Sequence, residues 1–150
     1  MKPLTAAELL AVWEQGLNQP LLERVLTLLA AACPEMDAQA IAELPIGERD
    51  AMLLHLREWM FGPHLVNTAH CPQCTERVEW ENRIADLSIP VKPDLVSPNA
   101  FLLKVAEFEL QFRLPDSKDI AAVLETNDDQ AAPSGLLRRC ILEARRADEF

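Results

Sequence analysis

The stretch His70-Cys71-Pro72-Gln73-Cys74-Thr75-Glu76-Arg77-Val78-Glu79-Trp80-Glu81-Asn82-Arg83-Ile84 decides how the chain is read. Val78, Trp80 and Asn82 alternate with charged neighbours, a period of two that predicts a strand with one covered face. Just before it stand two cysteines at a spacing that lets two thiolates grip one tetrahedral metal ion, with Pro72 stiffening the turn. A strand follows directly, as in the knuckle of a zinc ribbon. A structural zinc site needs four ligands, and Cys71 and Cys74 supply two. Thr75 stands where such knuckles usually carry Gly.

On the N-terminal side of this element the texture is helical. Thr5 and Glu8 form a capping-box pattern ahead of Leu9, Leu10, Val12 and Trp13, and Gly16 with Asn18-Gln19-Pro20 ends that helix. Leu22, Val25, Leu26 and Leu29 give a helical stripe over about 21–32, stopped by Cys33-Pro34. Asp37 caps a short helix that ends before Pro45. A longer helix runs from about Gly47 to Met60. There Met52, Leu53, Leu56 and Met60 share one face while Glu48, Arg49, Asp50 and Arg57 can face water. Gly62-Pro63 closes it. His64 to His70 reads as a connector.

On the C-terminal side, Pro90, Pro93 and Pro98 mark a loop or linker. Phe101 to Val105 and Phe108 to Leu114 then read as two strands. Phe108, Leu110, Phe112 and Leu114 alternate with Glu109, Gln111 and Arg113, the cleanest period-two run in the chain. Asp116 or Ser117 can cap a helix through Ile120, Val123 and Leu124. Asn127 to Ser134 is mostly polar, and a last helix carries Leu136, Leu137, Cys140, Ile141 and Ala144. The expected class is α+β, mainly helical with a small antiparallel β unit following the CPxC knuckle. The 150 residues suit one domain, with a helical part over 1–62, a knuckle and β part over 63–115 and a helical part over 116–150.

Charge and composition exclude several roles. The formal net charge is −10, so nucleic acid is a poor partner, because that binding rests on neutralising phosphates with Lys and Arg. The one dense basic cluster, Arg138, Arg139, Arg145 and Arg146, has Glu143, Asp148 and Glu149 beside it and reads as a solvated helix face. The start has no long apolar run before its first acid, and nothing approaches the ~18 apolar residues of a membrane span. The expectation is a cytoplasmic chain without membrane association. Its cysteines Cys33, Cys71, Cys74 and Cys140 are then reduced.

Chemistry therefore centres on Cys71 and Cys74. Further metal ligands could come from His70 or His64, although loop histidines are more often solvated. Cys33 and Cys140 fit better as small core hydrophobes. Zinc is the cofactor such a pair could hold, with another chain completing the site. A small CxxC redox protein is a weaker reading. Thioredoxin-like pairs sit at a helix N-terminus, and this one precedes a strand. No Gly-rich phosphate loop, Gly-x-Ser-x-Gly or His-Glu-x-x-His is present, so the expectation is a protein without catalytic activity. His55 fits a partly buried structural role, and Trp13, Trp59 and Trp80 fit core or interface anchors. Met52, Trp59 and Met60 are the candidate partner-binding residues, with the core as their competing place.

Several stretches in order carry a family resemblance: Leu44-Pro45-Ile46-Gly47-Glu48-Arg49-Asp50, Leu53-Leu54-His55-Leu56-Arg57-Glu58, Phe61-Gly62-Pro63, His70-Cys71-Pro72-Gln73-Cys74, Phe112-Arg113-Leu114-Pro115-Asp116-Ser117-Lys118-Asp119 and Leu136-Leu137-Arg138-Arg139-Cys140. This set resembles the T4-type baseplate hub assembly chaperone family of contractile phage tails and phage-tail-like injection systems. The resemblance implies a non-catalytic role in hub assembly, with baseplate hub or spike proteins as partners. A structural, zinc-bound baseplate component is the alternative. Relatives it resembles are usually longer and carry a second Cys-Pro-x-Cys, which nothing here matches. Either this is a shorter relative or the N-terminal portion of a longer family architecture.

Overall fold

A computed structural model describes residues 1–87, 100–126 and 130–146. Pro90, Pro93, Pro98, Asn127, Asp148 and Glu149 lie outside the described residues. Four helices come first: α1 (Ala6–Gly16), α2 (Leu21–Ala32), α3 (Ala38–Ala42) and α4 (Ile46–Phe61). They start and stop where local chemistry predicts. Thr5 and Glu8 form the capping box of α1, and the Asp37 carboxylate accepts the Ala40 amide at the head of α3. Gly62, at φ 83°, donates its amide to the Glu58 carbonyl and ends α4 in a conformation that only glycine adopts without strain.

The core lies between these helices. Leu4, Leu29, Ala32, Cys33, Ile41 and Leu56 form one buried cluster, with Met52, Leu53 and Met60 packed against it. The predicted inner face of α4 is therefore the observed one. Its predicted water-facing side is not wholly so. Arg49 and Arg57 are half-buried: Arg49 donates to the Ser117 hydroxyl at 2.9 Å, and Arg57 donates to the carbonyls of Gly62 and His64. A guanidinium carries five donors on a long apolar stem, so it can lie over the protein while still satisfying its charge.

Past Gly62 the chain turns to β structure. Strands β1 (His64–His70) and β2 (Arg77–Arg83) form an antiparallel hairpin with His64 opposite Arg83 and His70 opposite Arg77. Residues 64–70 are thus a strand, not a connector. Their own alternation is weak, and pairing with the patterned β2 supplies the missing order. One hairpin face carries Leu65, Ala69, Val78 and Trp80; the other carries His64, Glu79 and Glu81. The apolar face is not covered as the alternation predicts, for Val78 and Trp80 stay about half exposed. A short helix α5 (Ile84–Leu87) follows, and buried Ile84 donates its amide to the Pro63 carbonyl at the hairpin base.

The second sheet contains β3 (Phe101–Val105), β4 (Phe108–Phe112) and β5 (Ile141–Arg146), in the order β3-β4-β5 and all antiparallel. Between β4 and β5 run α6 (Ser117–Leu124) and α7 (Ala132–Cys140). The helix expected to carry Ile141 and Ala144 ends at Cys140, so residues 116–150 are not a helical part throughout. Leu142, Glu143, Ala144 and Arg145 are good helix formers, but the open edge of β4 offers them a ladder, and tertiary pairing overrides local propensity. The basic cluster splits accordingly. Arg138 and Arg139 lie on α7, while Arg145 and Arg146 lie on β5.

The two halves meet through the turn before α6. Pro45 and Asp116 form an isolated antiparallel bridge, and the Ile46 amide donates to the Pro115 carbonyl at 3.0 Å. Lys118 pairs with Glu43 at 2.7 Å across the same seam.

Candidate functional site

The cysteine turn is built from backbone. The Cys71 amide donates to the Glu76 carbonyl at 2.9 Å, and the Thr75 amide returns to the Cys71 carbonyl at 2.8 Å. Closing so tight a loop drives Thr75 to φ 60°, the left-handed region where glycine is the usual choice. The amide of Cys74, then that of Gln73, then the Cys74 thiol hydrogen-bond the Cys71 sulfur and hold its pKa below the ordinary thiol value. Cys71 is half-buried and Cys74 exposed, and both are unbridged. The turn thus offers two neighbouring sulfur donors, one of them biased toward thiolate.

The other proposed ligands are distributed along the hairpin. His70 closes the base of the turn, opposite Arg77. His64 lies at the far end of β1, six residues away or roughly 20 Å along an extended strand, with its Nδ1 against Glu81. Cys33 is buried in the helical core and Cys140 at the end of α7, and burial pushes both thiols up. Among the described residues no group of three or more His, Cys, Asp or Glu is gathered so as to hold a metal ion.

The candidate partner residues on α4 divide. Met52 and Met60 pack on the core, whereas Trp59 is half exposed. His55 is exposed rather than partly buried, and its ring meets Trp59 edge-on at 4.3 Å. Phe61, exposed at the helix end, lies under the Arg57 guanidinium at 5.8 Å. Trp13 and Trp80 are exposed as well, so none of the three tryptophans is a core residue.

A charged centre that sequence reasoning missed lies at the seam. Asp119 is fully buried. It accepts from Arg113 Nη1 at 2.5 Å and Nη2 at 2.9 Å, from Arg139 Nε at 2.8 Å, and from the Asp116 amide at 3.1 Å. The Asp116 carboxylate in turn accepts the Asp119 amide at 2.9 Å, completing a capping box for α6. The Arg113 guanidinium, ahead of the cost of burial, holds the Asp119 carboxyl far below the usual carboxylate range. Arg113, Asp119 and Arg139 come from the end of β4, α6 and α7, so one carboxylate ties three elements together. The Asp-x-x-Asp cap could have been found in the sequence; its two arginine partners, 6 and 20 residues away, could not.

The largest unexplained feature is apolar surface. Among the described residues nineteen large hydrophobic side chains are exposed and nine hydrophobic residues are buried. The exposed ones are patterned. Leu103, Val105, Phe108 and Leu142 share one face of the second sheet with half-buried Phe101, Leu110 and Phe112. The other face carries the ion pairs Lys104–Glu109 and Arg145–Glu143. A cleft of about 260 Å³ between α1 and α2 is lined by Leu9, Val12, Trp13, Gly16, Leu17, Arg24 and Leu28. No helix among the described residues is long and apolar enough to cross a membrane. Contiguous exposed apolar patches mark interaction surfaces.

The fold thus carries a two-cysteine turn on one small sheet and exposed apolar side chains on both. The chain belongs to the T4 bacteriophage base plate protein family, whose model matches residues 4–149. No curated protein and no solved structure matches the chain. The seam residues 112–119 and 136–140, quoted above for their resemblance, are those that build the Asp119 centre.

Proposed function

We propose that the chain is a non-catalytic assembly chaperone or accessory factor for the baseplate hub of a contractile phage tail or phage-tail-like injection system, acting in the cytoplasm of the producing cell. The observation that carries this reading is the patterned exposure of apolar side chains on both sheets and along the α1–α2 cleft. An assembly factor needs such faces, because it must cover a partner's apolar surface before that surface reaches its final neighbour. Membership of the baseplate family makes hub or spike proteins the partners to test. Its charged centre supports the non-catalytic reading, since Asp119 spends its oxygens on Arg113, Arg139 and the backbone.

The test is co-purification of the chain with the neighbouring tail proteins, followed by mass spectrometry of assembly intermediates and of finished particles. A chaperone is recovered with hub or spike proteins in intermediates and is missing from finished particles. Recovery with no tail protein at all would sink the reading. A stable baseplate component is the second reading, favoured by the thiolate-stabilising turn at Cys71 and Cys74, which suits a zinc ion shared with a neighbour. It predicts the protein and zinc together in finished particles.

A further inference from the structure

The outer edge of β5 carries a self-complementary charge pattern. Among the described residues β5 pairs only with β4, and all six of its residues are exposed. An open edge presents unpaired backbone donors and acceptors to any strand that fits it. Two copies of one strand can pair antiparallel about a two-fold axis, and such an axis must set some residue opposite itself. Centring on Ala144 puts Glu143 opposite Arg145 of the second copy, and Arg145 opposite its Glu143. Two opposite-charge pairs then flank the smallest side chain of the strand, and one step further out Leu142 of each copy falls opposite Arg146 of the other. Centring on Glu143 or on Arg145 sets a charge against itself, which is unfavourable.

The other strands lack this property at their centres. Centring β2 on Trp80 would set Glu79 against Glu81 and Arg77 against Arg83. Centring β3 on Leu103 would set Leu102 against Lys104 and brings no opposite-charge pair together. In β5 the charges are held ready on one face, because Arg145 already reaches Glu143 within the strand at 2.7 Å. On the opposite face Ala144 lies beside Leu110, while Arg146 lies beside Phe108.

We propose that a second copy of this chain docks on β5, centred on Ala144, to give a continuous six-stranded sheet in the order β3-β4-β5-β5-β4-β3. The two apolar sheet faces then lie on the same side and meet at Ala144, with Arg146 of each copy beside Leu142 of the other. This inference stands apart from the assembly role, since a monomer could serve that role equally well.

The test uses the full chain in analytical ultracentrifugation, with charge swaps on β5. The unaltered protein is expected to sediment as a concentration-dependent dimer. Glu143→Arg turns both cross-strand pairs repulsive and should weaken the dimer roughly tenfold or more. Adding Arg145→Glu to it restores opposite charges and should bring the dimer back. Far-UV circular dichroism checks the fold of each variant. A parallel arm needs no charge change: Ala144→Cys, in a Cys71→Ser, Cys74→Ser background, should cross-link to dimer under mild oxidation. Directly opposed Cα atoms lie about 4.5–5.5 Å apart, within disulfide reach, and Arg145→Cys should cross-link far less. A monomer at every concentration, a folded Glu143→Arg variant that dimerises as before, a double swap that stays monomeric, or equal cross-linking at 144 and 145 would each overturn the proposal.

Discussion

Replacing Asp119 by Ala should cost about 4 kcal/mol of folding stability. Breaking a buried ion pair by removing one partner typically costs ~3–5 kcal/mol, because the other charge is left uncompensated. The Arg113 and Arg139 side chains keep 29% and 44% of their surface exposed, so both can partly rehydrate, which favours the low end. Loss of the capping box adds about 1 kcal/mol and brings the sum back toward the middle of that range. Against a typical total of about 5–15 kcal/mol this is a large fraction. With a urea slope near ~2 kcal/mol per molar, the unfolding midpoint should fall by about 2 M. The near-isosteric Asp119→Asn variant isolates the charge. In the fold the Asp119 carboxyl stays ionised at pH values where the unfolded chain has already taken up a proton. Its contribution is therefore whole above about pH 4, the ordinary Asp value, and is lost as pH falls toward the lowered native one. The gap in stability between the native chain and Asp119→Asn should be widest at neutral pH and should narrow on acidification below about pH 4. A loss under about 1 kcal/mol for Asp119→Ala, or an Asn gap that does not narrow in acid, would refute the account.

Other measurements follow from the same contacts. Leu29→Ala should lose about 2–5 kcal/mol in denaturant unfolding, because its side chain is fully enclosed by the helical core. In the native protein a thiol-alkylating reagent at neutral pH should label Cys71 and Cys74 and spare Cys33 and Cys140, and mass spectrometry of the labelled peptides would read this directly. Gly62→Ala should destabilise by about 1 kcal/mol or more in thermal unfolding, since φ 83° is strained for a residue with a Cβ. Elemental analysis with and without Cys71→Ser tests zinc: a metal content that drops with the substitution supports the shared site, and no zinc in either rejects it.

The sequence spoke most clearly where local chemistry is self-sufficient. The helix α2 was bounded by its own stripe and its stop, and the caps at Thr5, Asp37 and Asp116 lay within three residues of the amides they serve. The β3–β4 hairpin was legible because Phe108, Leu110 and Phe112 alternate strictly. What failed depended on partners distant in sequence. Residues 64–70 have no strong period and become a strand only beside β2. Residues 141–146 read as helix because nothing local reveals that β4, some thirty residues earlier, presents an open edge. The cysteine pair is legible as a motif, yet the amides that bias Cys71 toward thiolate come from the shape of the turn. The Asp119 centre stayed hidden because its arginines read as ordinary surface charge.

The position of β5 in the chain sets an order of events during synthesis. The helical core from Leu4 to Leu56 closes on contacts near in sequence and can form while the rest is still being made. The β3–β4 hairpin and the cap of α6 come next, but Asp119 then waits for Arg139, and the edge of β4 waits for residues 141–146. Until residues 139–146 arrive, the nascent chain holds an open, apolar two-stranded edge beside a half-paired buried carboxylate. Truncation or stalling just before residue 141 would therefore leave a species with native helices and a sticky, unfinished sheet, the form most prone to wrong partners.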